Sequence, residues 1–332
     1  MKKVTAFSLL FSVGSMPFVF FFANTSRSAA NSSNYPVNAG YTVEATAPAP
    51  VIDYTTLPLD IPDQTMIMPL ESLQDQDLQQ KLDAILASDS RWVGLAKNKK
   101  FSIGIVDMQD PLHSRYAAIN PNNMVYAASL PKIAILLASE DAIAKGKLVE
   151  TPEVKQDMRM MIAKSSNEAA SRMFNRVGID QISAVLQDPC YNLYDKQNGG
   201  GLWVGKPYGS GSTRVGDPIK GLSHAASVMQ VCKYYYMLAF GQLVNEDRSR
   251  DMLDMLVDPQ LHHKFVSVLD KVAPTAKVYR KSGTWETWHA DSALVWDKNR
   301  KYIVVALAED GSGETMLREL MLKIDTALAL KG

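Results

Sequence analysis

The sequence predicts an α+β protein in which strands from the N- and C-terminal parts of the folded region form one antiparallel sheet, helices flank it, and an all-helical lobe is inserted between the two sets of strands. Apolar, β-branched runs at 101–108 and 115–126 stand at one end, and further runs at 277–284, 292–296 and 302–308 stand at the other. The residues between them carry helical apolar spacing instead.

Ahead of the fold, Lys2 and Lys3 precede an apolar run at 4–23, and the small residues Ser28, Ala29 and Ala30 follow it. Positive charge, an apolar stretch and a small-residue site make residues 1–30 a signal peptide, so the protein is expected in the periplasm or secreted, with no stable membrane span after cleavage. The run approaches the ~20 residues that cross a bilayer, but Gly14 and Pro17 interrupt it. Ser, Asn, Pro, Thr and Ala then dominate without a period, as in Ala45-Thr46-Ala47-Pro48-Ala49-Pro50, and 31–70 reads as a flexible tether. The folded domain is expected over 71–332.

Within it, Leu73, Leu78, Leu82, Ile85 and Leu86 recur at helical spacing, and Leu317, Leu320, Met321, Ile324 and Leu328 mark a closing helix. An Asn120-Pro121-Asn122-Asn123 turn divides the second strand region, and Asp297-Lys298-Asn299-Arg300 joins the last two strands. Between the ends, Met158, Met160 and Met161, the tyrosines at 234–236, and Met252, Leu253, Met255 and Leu256 read as packed helices.

The 35 basic and 35 acidic residues cancel, so no basic groove for nucleic acid is expected. Hydrophobic residues make up 46% of the chain, which suits a globular core and excludes wholesale disorder. Cys190 and Cys232 are too few for a disulfide framework, and whether they pair is left open. His113, His224, His262, His263 and His289 show no ligand spacing backed by carboxylates, so no metal and no cofactor is expected.

The chemistry starts at Ala127-Ala128-Ser129-Leu130-Pro131-Lys132, where the apolar stretch 133–138 continues as a buried helix and Pro131 suits its first turn. With a helix beginning at Ser129, its hydroxyl and the Lys132 amine share one face. A serine hydroxyl needs a neighbouring base, and burial gives a lysine that role by lowering its proton affinity. Free N–H groups at the helix start would favour charge on an attacked carbonyl oxygen. A chain of this length holds roughly one Ser-x-x-Lys by chance. Two further segments follow in order: Ser165-Ser166-Asn167, between helical patterns, and Lys281-Ser282-Gly283-Thr284, on the strand before the final hairpin. Another Ser-Ser-Asn at 32–34 lies in the tether and is a coincidence.

These segments resemble the three-part signature of the serine β-lactamases and penicillin-binding proteins, Ser-x-x-Lys, Ser-Asp-Asn and Lys-Thr-Gly, with the class A β-lactamases the nearest pattern. The stretch from Met161 through Ala170 is similar to the surroundings of the second motif in class A, and the likeness runs from about Leu73 to the C-terminus. It implies a β-lactamase-like fold and a set of roles. Ser129 attacks the carbonyl, Lys132 takes its proton directly or through water, and Ser165 passes a proton to the leaving nitrogen. Asn167 bonds the substrate's side-chain amide, and Lys281 supplies positive charge for a substrate carboxylate and keeps Ser165 and Lys132 poised. The backbone N–H groups of Ser129 and Thr284 form the oxyanion hole. Gly283 keeps a side chain off the strand edge where substrate lies, and Ser282 retains the hydroxyl of the more usual threonine.

One departure bears on turnover. Class A enzymes carry a Glu-x-x-Leu-Asn segment whose glutamate activates the water that releases the acyl group, and 198–211, glycine-rich, holds no carboxylate. Release is therefore expected to be slow. The interval from Ser129 to Ser165 also implies a trimmed helical lobe. The glycine-rich segment lacks the Gly-Lys-[Ser/Thr] of a phosphate loop. Trp203 and Tyr208 suit either a cleft wall or packing beneath a loop, and Glu286 reads as a surface carboxylate.

The expected function is a serine hydrolase acting through an acyl-enzyme on a small-molecule β-lactam or related cyclic or peptide amide. The alternatives are a D-alanyl-D-alanine peptidase or penicillin-binding protein with slow deacylation, and a noncatalytic module that binds cell-wall peptides.

Overall fold

A computed structural model describes residues 56–59, 61, 63–209 and 213–330. The expected signal peptide and most of the expected tether lie outside the described residues. Its sheet comprises β1 (Phe101–Asp107), β2 (Arg115–Ile119), β8 (Lys277–Trp285), β9 (Trp288–Trp296) and β10 (Lys301–Glu309), in the order β2-β1-β10-β9-β8 and antiparallel throughout. Strands from both ends of the domain thus share one sheet, as the apolar runs required.

Period-two alternation divides the buried residues between two cores. Ile303, Val305 and Leu307 of β10 belong to one, and Tyr302, Val304, Ala306 and Ala308 to the other. The first face is covered by α7 (Val228–Ala239), and the second by α1 (Gln76–Ala87), α2 (Ser90–Lys97), α9 (Phe265–Val272) and α10 (Gly313–Leu328). Because both faces are covered, every residue of β1 is buried and its sequence is a continuous apolar run. Gly104 lets α7 approach: a Cβ there would lie 2.7 Å from the Cys232 sulfur. Cys232 is buried, Cys190 is exposed, and both are free thiols.

The helical lobe surrounds α3 (Lys132–Ala144), mostly apolar and buried from Lys132 through Ala142, with Ser139, Glu140 and Asp141 among the buried residues. Around it lie α4 (Pro152–Ala163), α5 (Asn167–Val177), α6 (Ile179–Leu186) and α8 (Glu246–Leu256). Three of the four, α4, α5 and α8, start with side-chain caps, worth about 1 kcal/mol each: the side chains of Thr151, Ser166 and Asn245 accept from Val154 N, Ala169 N and Arg248 N. Only α3 and α4 occupy the interval between Ser129 and Ser165.

Short strands complete the region around the site. β3 (Val125–Tyr126), β6 (Trp203–Val204) and β7 (His224–Ala226) form one sheet, in the order β3-β7-β6, while β4 (Tyr194–Asp195) pairs with β5 (Gly200–Gly201). The structure corrects the sequence reading at several points. Residues 115–126 do not continue in one sheet: after the turn at 120–123, β3 leaves β2 and pairs with β7. The helix expected from Ser129 starts at Lys132, because residues 128–131 form a turn. The packed chain also begins before residue 71, since Leu57, Leu59, Ile61 and Leu70 are buried in the first core.

Candidate active site

Ser129 sits on the turn between β3 and α3. Ala127 N donates to His224 O at 3.0 Å, tying the turn to β7, and Leu130 N donates to Ala127 O at 3.0 Å. Ala128 takes φ 50°, a left-handed conformation that costs an alanine about 1–2 kcal/mol and swings the chain abruptly toward the helix. Lys132 N then donates to Ser129 O at 3.3 Å, so the Ser-x-x-Lys spacing spans a single i→i+3 turn that still places both side chains at the start of α3.

Lys132 is 0% exposed. The sequence put its amine within reach of the Ser129 hydroxyl as a base; the amine's hydrogen bonds instead go to Ser165 O at 2.6 Å and Asn167 Oδ1 at 2.8 Å, with Ser165 Oγ at 3.4 Å. The Tyr208 ring centroid lies 4.4 Å from the same nitrogen. Burial lowers its pKa to about 7, against a smaller opposing pull from the Glu168 carboxylate. A substantial fraction of this lysine is therefore an uncharged base at neutral pH.

The second motif lies on the turn between α4 and α5. Ser165, at φ 56°, turns the chain so that its hydroxyl and carbonyl both meet Lys132. Ser166 is structural, capping α5 and donating to Glu168 Oε2 at 2.9 Å. Asn167 is the first residue of α5, so its amide both holds Lys132 and lines the pocket.

The third motif arrives on β8. Lys281, 1% exposed, donates to Ser165 Oγ at 2.8 Å and to Ser282 O at 2.7 Å. Burial, and then the neighbouring charge of Lys132, drive its proton affinity well below the usual lysine range. A Cβ on Gly283 would lie 2.2 Å from Ala127 O and 2.8 Å from the nitrogens of Ser129 and Leu130. The expected reason for this glycine, clearance for substrate, is thus replaced by a tighter one: the strand backbone rests on the nucleophile's turn. Ser282 is buried, and Thr284 follows on the pocket side.

A pocket of about 400 Å³ opens between these elements, and its lining includes Ser129, Asn167, Tyr208, His224, Thr284 and Trp285. Of the alternatives for Trp203 and Tyr208, the structure gives one to each. Trp203 is buried against Tyr194 with ring centroids 5.1 Å apart, and Tyr208 forms pocket wall. Tyr208 donates its hydroxyl to Ala128 O at 3.3 Å and packs on His224 at 4.2 Å. His224, read from sequence as ordinary, is therefore part of the site. Burial lowers its pKa to about 4, and the neutral ring donates through Nε2 to Lys206 O at 3.2 Å. Glu286 is exposed at the β8–β9 turn.

The three motifs thus converge on one pocket. In comparison with known proteins, the model of the Beta-lactamase enzyme family matches residues 150–329, over half of the chain. The chain belongs to this beta-lactamase family. Its fold is similar to that of the beta-lactamase from Sphaerobacter thermophilus, at TM-score 0.59 and 15% identity over 75% of this chain and 96% of that one. It is also similar to PBP-A, at TM-score 0.55 and 15% identity over 76% and 96% of the two chains. A class A beta-lactamase of the last common ancestor of Gram-negative bacteria aligns at TM-score 0.54 and 15% identity over 71% and 97%. No curated protein matches the sequence. Among family members defined by three motifs, the wall formed here by Tyr208 and His224, and the buried Lys264 behind β8, are features that the motifs do not announce.

Proposed function

We propose that this beta-lactamase family member is a serine hydrolase that opens β-lactams or related cyclic and peptide amides through an acyl-enzyme on Ser129. The observation that carries this reading is the Ser165 hydroxyl, set 2.8 Å from the Lys281 amine and 3.4 Å from the Lys132 amine beside the Ser129 turn. In the reaction, neutral Lys132 takes the Ser129 proton, directly or through water, as Oγ bonds to the substrate carbonyl carbon. The N–H groups of Ser129 and Thr284 hold the oxyanion, worth about 3 kcal/mol per donor. Ser165 then protonates the leaving nitrogen as the amide bond breaks, and is reprotonated through the two lysines. Asn167 binds the substrate's amide and Lys281 its carboxylate.

A second reading, a penicillin-binding peptidase with slow deacylation, is favoured by the other wall. Tyr208 covers Lys132 there, and 198–211 offers no carboxylate to activate a releasing water. On the signal-peptide pattern, either activity is expected outside the cytoplasm.

Intact-mass analysis over time, after mixing the protein with a penicillin, separates these readings. An adduct that forms and clears supports hydrolysis, and one that persists supports the slow-releasing alternative. An adduct equally abundant in Ser129→Ala contradicts both, and absence of any adduct in either protein favours the noncatalytic binding module or a substrate outside this class.

A further inference from the structure

Among the described residues, Lys264 is a buried cation that the reaction above leaves unused. It precedes α9 at φ 53°, and it is 0% exposed. Its amine donates to Gly283 O at 2.6 Å, Thr284 Oγ1 at 2.8 Å and Ala290 O at 3.1 Å. Gly283 and Ala290 are cross-strand partners, so the ammonium bridges β8 and β9 directly behind the third motif. None of these acceptors is a carboxylate. Asp291 is close, but its oxygens accept from Arg280 at 2.7 and 2.8 Å and from Phe265 N at 3.1 Å. An ammonium buried without a hydrogen-bonded counter-ion is costly, and an apolar side chain would pack there more cheaply.

What the cost secures follows from peptide geometry. Gly283 C=O and Thr284 N–H belong to one planar trans peptide and point in opposite directions. A carbonyl held by Lys264 on one side sends the Thr284 N–H to the other, and Thr284 lines the pocket with Ser129. On the acyl-enzyme reading of that pocket, we propose that Lys264 is a positioning residue for the oxyanion hole: its ammonium fixes the Gly283–Thr284 peptide and, by drawing electron density onto the carbonyl oxygen, strengthens the Thr284 N–H as a donor. Lys264 acts through Thr284 and does not itself touch substrate.

The charged and titratable groups facing Lys264 are Arg280 and Lys281 on β8, His289 and Asp291 on β9, Glu314 on α10, and His263 beside it in the chain. Burial lowers the Lys264 pKa to about 8, with Asp291 opposing. The Thr284 amide should therefore report a titration near pH 8.

Two measurements on the full chain test the assignment. In amide ¹⁵N–¹H spectra of the free protein, the Thr284 resonance should shift as pH rises through about 8, and Lys264→Met should abolish that transition. With penicillin G as the probe, Lys264→Met should slow acylation of the folded protein roughly 10- to 100-fold, mostly in the limiting rate and not in half-saturation, while Lys264→Arg recovers part of the loss. A Thr284 resonance indifferent to pH in this range, or a folded Met variant acylated at the wild-type rate, overturns the proposal. Should wild type resist penicillin altogether, the β-lactam form of the acyl-enzyme reading fails, and the Thr284 titration still decides whether Lys264 governs this peptide. If the Met variant does not fold, the wild-type titration and the Arg variant carry the test.

Discussion

On the side of the pocket formed by α3, the Ser165 turn and β8, the lysines are tied to neighbouring polar groups. Lys132 is bonded to Asn167 and Ser165, Lys281 to Ser165 and Ser282, and Lys264 to Gly283 and Thr284. Across the pocket, the wall is aromatic: the Tyr208 ring faces Lys132 and stacks on a neutral His224. On the proposed mechanism, the first side would move a proton from Ser129 to a leaving nitrogen. The second excludes water from Lys132 and supplies no carboxylate from 198–211 to activate one. On the proposed acyl-enzyme reading, the contrast teaches that the groups for acylation and the groups for release can lie on separate walls of one pocket.

The largest effect that would break this comparison is on the general base. Lys132→Ala is expected to slow acylation by roughly 10²- to 10⁴-fold while the fold is retained, measured by mass-detected labelling with penicillin; unchanged labelling would remove Lys132 from the mechanism. Next is the contact that seats β8 on the nucleophile's turn. Gly283→Ala forces a Cβ against the Ala127 carbonyl, so acylation should fall about 100-fold and stability by about 1–3 kcal/mol, the latter read from the denaturant midpoint. If neither changes, the strand does not need to lie where it does.

Smaller effects sharpen the contrast. On the proposed mechanism the neutral form of Lys132 is the base, so the acylation rate should rise with pH through about 7 and fall as pH drops below it; a flat profile across that range would contradict the assignment. Tyr208→Ala admits water to Lys132, which relieves its desolvation, raises its proton affinity and should move that midpoint upward by roughly one pH unit. Tyr208→Phe, which loses only the bond to Ala128 O, should leave acylation and release within about threefold of wild type. Release that collapses in the Phe variant would instead make the hydroxyl part of the second step.

Much of this was legible in the residue order. β1, β9 and β10 are buried on both faces, so their apolar runs stand out without any knowledge of partners. Motif order and context placed Ser129, Lys132, Ser165, Asn167 and Lys281 together. The start of α3 was not legible, because the left-handed residue before the nucleophile is Ala128 and not a glycine that would flag the turn. Leu57 and Leu59 sit among Thr and Pro, a composition that suits a tether, yet tertiary packing buries them. Lys264 stands in His262-His263-Lys264-Phe265, a pattern that reads as a solvated surface. Its burial arises only when α9 docks on the β8–β9 hairpin, a contact of high sequence separation that local pattern does not encode. The role of His224 has the same origin, since stacking on Tyr208 brings together residues that share no motif.

The most direct test of the account is peptide mapping of the protein quenched after exposure to a penicillin. The added acyl mass should lie on the proteolytic peptide containing Ser129, with fragment ions localising it to that residue and the same peptide unmodified in Ser129→Ala. An acyl mass on Ser165, on a lysine, or on any peptide outside this pocket would contradict the account.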